Sequence, residues 1–180
     1  MSNNLNPVSS LTAGNAAKLN SSEKYLTFYI DRQIFAIPSS QVVEIVRIQT
    51  ITLMPKLPPY VKGVINLRGK IVPLIDLRLK LSKPELEYGE QTSIVVTQWD
   101  DAIIGLIVDS VDDVTDIAVA DVNETPSLGR EKSNPFVTGI VTLSKGPALL
   151  LNLKRILTEN EDEHPQSKED AEGQPEDKGA

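Results

Sequence analysis

The side chains that could carry covalent chemistry are scattered and lack the partners such chemistry needs. Ser and Thr are plentiful, but the single His, His164, stands among acidic residues close to the C-terminal end, so no imidazole is on hand to activate a hydroxyl. There is no Cys, which excludes disulfides and thiolate metal sites. Asp100-Asp101 and Asp112-Asp113 are paired carboxylates, yet the first pair reads as a hairpin turn and the second lies beside an alternating strand, where solvated charge is expected. Neither an EF-hand spacing nor a Gly-rich phosphate loop is present, so no metal and no cofactor is expected. An enzyme on this scaffold would have to use Lys62 or Lys70, and both read as exposed turn lysines rather than groups in a closed pocket.

Binding chemistry is better represented. Arg68-Gly69 forms an unusual turn, with Asn66 just before it and Lys62 and Lys70 close by. Arg presents a planar fork of five donors suited to a carboxylate on a partner surface.

The elements that must hold this turn follow from periodicity. Leu26, Phe28 and Ile30 alternate with Tyr25, Thr27 and Tyr29; Asp31-Arg32 then turns the chain into a second strand, Gln33 to Ile37. Pro38-Ser39-Ser40 offers a helix start, and the spacing of Val42, Val43, Ile45 and Val46 predicts about two helical turns with Glu44 on the solvent side. Pro55, Pro58 and Pro59 interrupt the chain before a hairpin over Gly63–Leu67 and Lys70–Ile75, after which Asp76 can cap a short helix through Lys80. Residues 82–91 read as a linker. A third hairpin covers Thr92–Trp99 and Ala102–Asp109, a strand follows near Val111–Ile117, and a loop spans Val122–Pro135.

The last hairpin, Val137–Leu151 with Asn152–Leu157 behind it, matches the Arg68 hairpin at an offset of 76 residues: Gly63 falls on Gly139, Leu74 on Leu150 and Asp76 on Asn152. At an offset of 69, Gln33–Ile37 falls on Ala102–Leu106, and Val42 and Ile45 on Val111 and Val114. One β-rich plan is written twice, which fits two small barrels of about five strands each.

Charge is strongly partitioned. Residues 159–180 hold nine acids and two bases, a net of −7 that equals the net charge of the whole chain of 180 residues. Arg47–Lys83 holds eight bases and one acid, and Glu85–Glu124 eleven acids and no base. A nucleic-acid surface would need a basic face without an anionic neighbour, so opposite-signed faces favour protein partners. Residues 1–22 and 159–180 hold too little apolar surface to offset the entropy of ordering and are expected to be flexible tails around a domain at 23–158. The N-terminal segment lacks a basic start followed by an apolar run, and no apolar stretch is long enough to span a bilayer, so a cytoplasmic chain without direct membrane insertion is expected.

The string Val61-Lys-Gly-Val-Ile-Asn-Leu-Arg-Gly-Lys-Ile-Val-Pro-Leu-Ile-Asp-Leu-Arg78 closely resembles the signature hairpin of the CheW family, and the similarity runs over about residues 23–158, including Val42-Val-Glu-Ile45, Ile103–Asp109 and Thr138-Gly139. The resemblance implies a mainly β fold of two SH3-like five-stranded barrels around a shared apolar core, with short helices. It further implies a non-catalytic adaptor without cofactor. Such an adaptor joins the cytoplasmic tips of methyl-accepting chemoreceptors to the regulatory domain of the histidine kinase CheA, and is recruited to membrane-bound receptor arrays. The alternative is a CheW-like adaptor of a pilus-motility or other receptor-kinase pathway, since no feature of the sequence separates the two. By position, Arg68 matches the motif Arg implicated in partner binding, with Asn66 and Gly69 beside it. Val42, Glu44 and Ile45 match the segment associated with the receptor groove, and Leu128, in Pro126–Gly129, falls at a second kinase contact.

Overall fold

The computed structural model describes residues 21–124 and 134–158. Ten strands run in chain order: β1 (Ser22–Ile30), β2 (Gln33–Pro38), β3 (Val42–Arg47), β4 (Val61–Leu67), β5 (Lys70–Asp76), β6 (Ser93–Trp99), β7 (Ala102–Val108), β8 (Ser110–Ala118), β9 (Val137–Leu143) and β10 (Gly146–Leu151). Two short helices follow the second and last hairpins, α1 (Leu77–Lys80) and α2 (Leu153–Thr158). The strands form two five-stranded SH3-like sheets with the orders β8-β1-β2-β10-β9 and β3-β6-β7-β5-β4. Replacing each strand by its counterpart in the repeat converts the first order into the second, so the duplicated sequence is a duplicated sheet.

Many of these strands are apolar on both faces because they serve two cores. On β2, Phe35 and Ile37 enter a cluster shared between the sheets, while Ile34 and Ala36 enter a cluster private to the first sheet. On β6, Val95 faces the shared cluster and Ile94 and Val96 the private cluster of the second sheet. The shared cluster is centred on Phe28, Ile30, Ile37, Leu77 and Leu106, all with 0% exposure.

The helix expected at Val42–Val46 is absent: Ser39–Gln41 is a single 3₁₀ turn, and Val42 onwards is β3, paired antiparallel with β6. Its register slips between Val42↔Thr97 and Glu44↔Val96, which leaves Val43 as an inserted residue. The insertion breaks strict alternation and sets apolar residues side by side, which imitates helical spacing. Glu44 consequently lies on the same face as the private core of its sheet, at that core's edge rather than fully in solvent, and its side chain is 22% exposed. At the N-terminal boundary, Ser22 already belongs to β1.

The segment read as a linker, residues 82–91, is fastened at several points. The Tyr88 hydroxyl donates to Asp76 Oδ2 at 2.8 Å, Lys62 forms an ion pair with Glu85, and Gly89 N donates to Thr92 Oγ1 at 2.9 Å. Lys62 is thus a strand residue with a 19% exposed side chain, not a turn lysine. Asp76 caps α1 as the sequence implies, accepting from Arg78 N at 2.8 Å and Leu79 N at 3.3 Å.

Candidate functional site

Leu67 and Lys70 flank a two-residue turn whose central residues both have positive φ, 51° at Arg68 and 84° at Gly69. That is the pattern of a primed hairpin turn, whose twist matches the flanking strands. Gly69 suits such a conformation, and Asn66 braces it by accepting from Gly69 N at 2.8 Å. Asn66 and Gly69 therefore act by shaping the turn, and Arg68 is the residue it displays.

The Arg68 guanidinium reaches across to Glu44, donating from Nη2 to Oε2 at 2.7 Å, while 79% of the Arg68 side chain stays exposed. The pair ties the hairpin turn to β3 at the opposite end of the sheet's strand order. Beneath it lies a depression of about 190 Å³ lined by Val43, Glu44, Leu67, Arg68, Lys70, Val72, Val96 and Ile103. Its floor is apolar and its rim carries two cations and one carboxylate. Such a shape has room for one apolar side chain, with charge at the mouth.

Magnitudes indicate that Arg68 is not there for stability. A non-Gly residue in the left-handed region costs roughly 1 kcal/mol. An ion pair with one exposed partner returns about 0–1 kcal/mol, so the net is close to zero.

Of the other residues singled out by sequence, Ile45 is 44% exposed on β3, whereas Val42 packs against the shared cluster. Leu128 and the rest of Pro126–Gly129 lie outside the described residues. Sequence reasoning missed Val43, 51% exposed because of the bulge, and Ile71, 65% exposed three residues past Arg68. The bulge left no separate signal in the sequence; Ile71 was visible as the first apolar residue beyond the turn.

The corresponding turn and strand of the first sheet also carry an ion pair, one residue away from the matching positions Ser144 and Asp113: Lys145 in the β9–β10 turn pairs with Asp112 of β8 at 2.6 Å. This hydrogen bond raises the Lys145 pKa. Asp112 also accepts from Thr27 Oγ1 at 3.3 Å and its side chain is 18% exposed, so it is not the solvated carboxylate expected. The repeat thus keeps a turn-to-strand ion pair but changes its chemistry. Partitioned charge is also reduced by folding: Arg78 and Lys80 are buried, and Lys24 pairs with Asp116 at 3.1 Å. Among the described residues no group of three His, Cys, Asp or Glu could hold a metal ion, and no helix is long and apolar enough to cross a membrane.

Comparison with known proteins identifies the family and the fold. The family model described as CheW-like domain matches residues 24–161. Chemotaxis protein CheW of Bacillus subtilis is 36% identical over 125 residues, covering 69% of this chain and 80% of the relative. Chemotaxis protein CheW of Klebsiella aerogenes is 29% identical over 139 residues, 77% of this chain and 84% of the relative. The crystal structure of scaffolding protein TtCheW from Thermoanaerobacter tengcongensis superposes with a TM-score of 0.71 at 26% identity, covering 78% of this chain and 95% of that one. On fold, signature hairpin and relatives together, this chain belongs to the CheW-like domain family and is a chemotaxis-type scaffold, not an enzyme.

Proposed function

We propose that this chain couples methyl-accepting receptors to a CheA-type histidine kinase, and that the Arg68 turn is the centre of one partner contact. The observation that carries this reading is the exposed guanidinium held by Glu44 over an apolar depression. The partner surface that fits has an apolar side chain for the depression and a carboxylate for Arg68. Val43 lines the depression and extends its apolar contact, Ile45 and Ile71 offer exposed apolar side chains on the opposite faces of β3 and β5, and Leu128 supplies an anchor for a second kinase contact. Because the chain works by binding, it holds receptor and kinase where a receptor change shifts the kinase between activity states. In the cell it is cytoplasmic and gathers at receptor arrays.

The test mixes purified protein with a CheA-type kinase and receptor fragments and follows kinase autophosphorylation. Receptor-dependent stimulation is expected with the wild type, and its loss with Arg68→Asn, a substitution that keeps a residue tolerant of the left-handed turn. Stimulation unchanged by omitting the protein would overturn the coupling role. Stimulation undiminished in Arg68→Asn would remove Arg68 from the contact.

A further inference from the structure

The chain passes between the two sheets only twice among the described residues. It leaves the first sheet through Ser39–Gln41, between β2 and β3, and returns between β7 and β8 through one residue, Asp109. The Ser39–Gln41 turn has no side-chain cap. Asp109, by contrast, is gripped. Arg78 Nη1 donates to Asp109 Oδ2 at 2.5 Å, Arg78 Nη2 to Asp31 Oδ1 at 3.3 Å, and Arg78 Nε to the Pro84 carbonyl at 2.9 Å. Asp31 N donates to the same Asp109 Oδ2 at 2.8 Å, and Asp109 N to the Tyr29 carbonyl at 3.1 Å.

One guanidinium therefore joins α1 of the second sheet, the tip of the β1–β2 hairpin in the first sheet, the crossing itself and the fastened 82–91 segment. The Arg78 side chain is only 10% exposed, so these charge-assisted bonds are shielded from water more than a surface pair. A one-residue crossing is where two bodies would hinge, since few dihedrals separate them. A planar fork with donors to three segments removes that freedom, and a Lys could not, because its ammonium is a point donor.

We propose that Arg78 is a positioning residue that locks the orientation of the two sheets, so that the Arg68 site and the opposite sheet move as one body. Its bearing on coupling rests on the proposed function; the lock itself does not. The absence of Cys allows two spin labels to be placed cleanly, at Gln98→Cys on β6 and Thr142→Cys on β9, both exposed. Pulsed electron spin resonance on the full chain should give one narrow distance distribution. Arg78→Met is expected to broaden and shift it while circular dichroism stays that of the folded protein.

Ile94→Ala, a cavity in the second sheet's private core, serves as the control. It should lower thermal stability and leave the distribution narrow. If Arg78→Met does not fold, Arg78→Lys is read instead and is expected to broaden the distribution to a smaller extent. A narrow, unshifted distribution in a folded Arg78 variant would overturn the proposal, as would equal broadening in Ile94→Ala. The distance measurement needs no partner, so it stands or fails separately from kinase stimulation. If both readings hold, folded Arg78→Met also loses receptor-dependent stimulation.

Discussion

At Arg68 two weak energies oppose each other, and their near cancellation predicts how substitutions behave. Arg68→Ala leaves a residue that still dislikes positive φ and removes an ion pair exposed on its Arg68 side, so a loss of about 1 kcal/mol is expected. Arg68→Asn should be neutral or slightly stabilising. Thermal melts of both, beside the kinase assay, check that binding falls while folding does not; a large drop in melting temperature for Arg68→Asn would assign the residue to the fold. Tyr88 makes a different demand. Burial first, then the hydrogen bond to the Asp76 carboxylate, hold its phenol well above its ordinary value of 10.0. A raised folded value means that its contribution is complete below 10.0 and is lost as pH climbs towards the folded value. Stability measured from pH 8 to 11 should therefore decline more steeply in the wild type than in Tyr88→Phe, which lacks the titrating group.

Among the elements, the outer strands β4 and β9 need a cover, and the repeat supplies it twice. Thr52 pairs with Val64 of β4 and Asn123 with Ile140 of β9, each through two backbone hydrogen bonds of 2.8–2.9 Å. Such cover keeps an open edge from recruiting another chain. The close approach needs glycine: a Cβ on Gly63 would stand 2.2 Å from the Thr52 carbonyl oxygen, at a φ of +132°. At Gly139 the nearest atoms are a Val122 methyl at 2.6 Å and the Asn123 oxygen at 3.1 Å. Gly63→Ala is thus expected to cost about 2–3 kcal/mol or more and to promote association through β4, with Gly139→Ala milder because a side-chain methyl can yield. Chemical denaturation and sedimentation of the two variants test that order. The recurrence of these glycines was legible in the sequence, as were the hairpins, because turn chemistry and period-two alternation are local. The Arg68 turn was legible for the same reason. β3 was not, since the bulge at Val43 shifts the period by one, and Arg78 was not, since its partners Asp31 and Asp109 are distant in sequence and only the fold brings them together.

For the whole molecule, the duplication does not coincide with the division into sheets. The first five strands and the last five are the repeats, yet the second sheet takes β3 to β7 and the first takes β1, β2 and β8 to β10. That exchange could not be read from hairpins, because pairing between distant strands leaves no local trace. Local closure is cheaper in entropy than closure over a long loop. Pulsed hydrogen exchange during refolding should therefore protect β6 and β7 amides before those of β1 and β10; simultaneous protection would mean that the shared core, not sheet closure, sets the sequence of events. On the ribosome the same arrangement reverses the usual habit of folding from the N-terminal end. When Val108 has emerged, every strand of the second sheet is in hand, while the β1–β2 hairpin still waits for β10, the strand it pairs with in parallel. The first hairpin of the domain to be made is among the last to complete its sheet, and until then its row of open backbone groups is what a nascent-chain chaperone would meet.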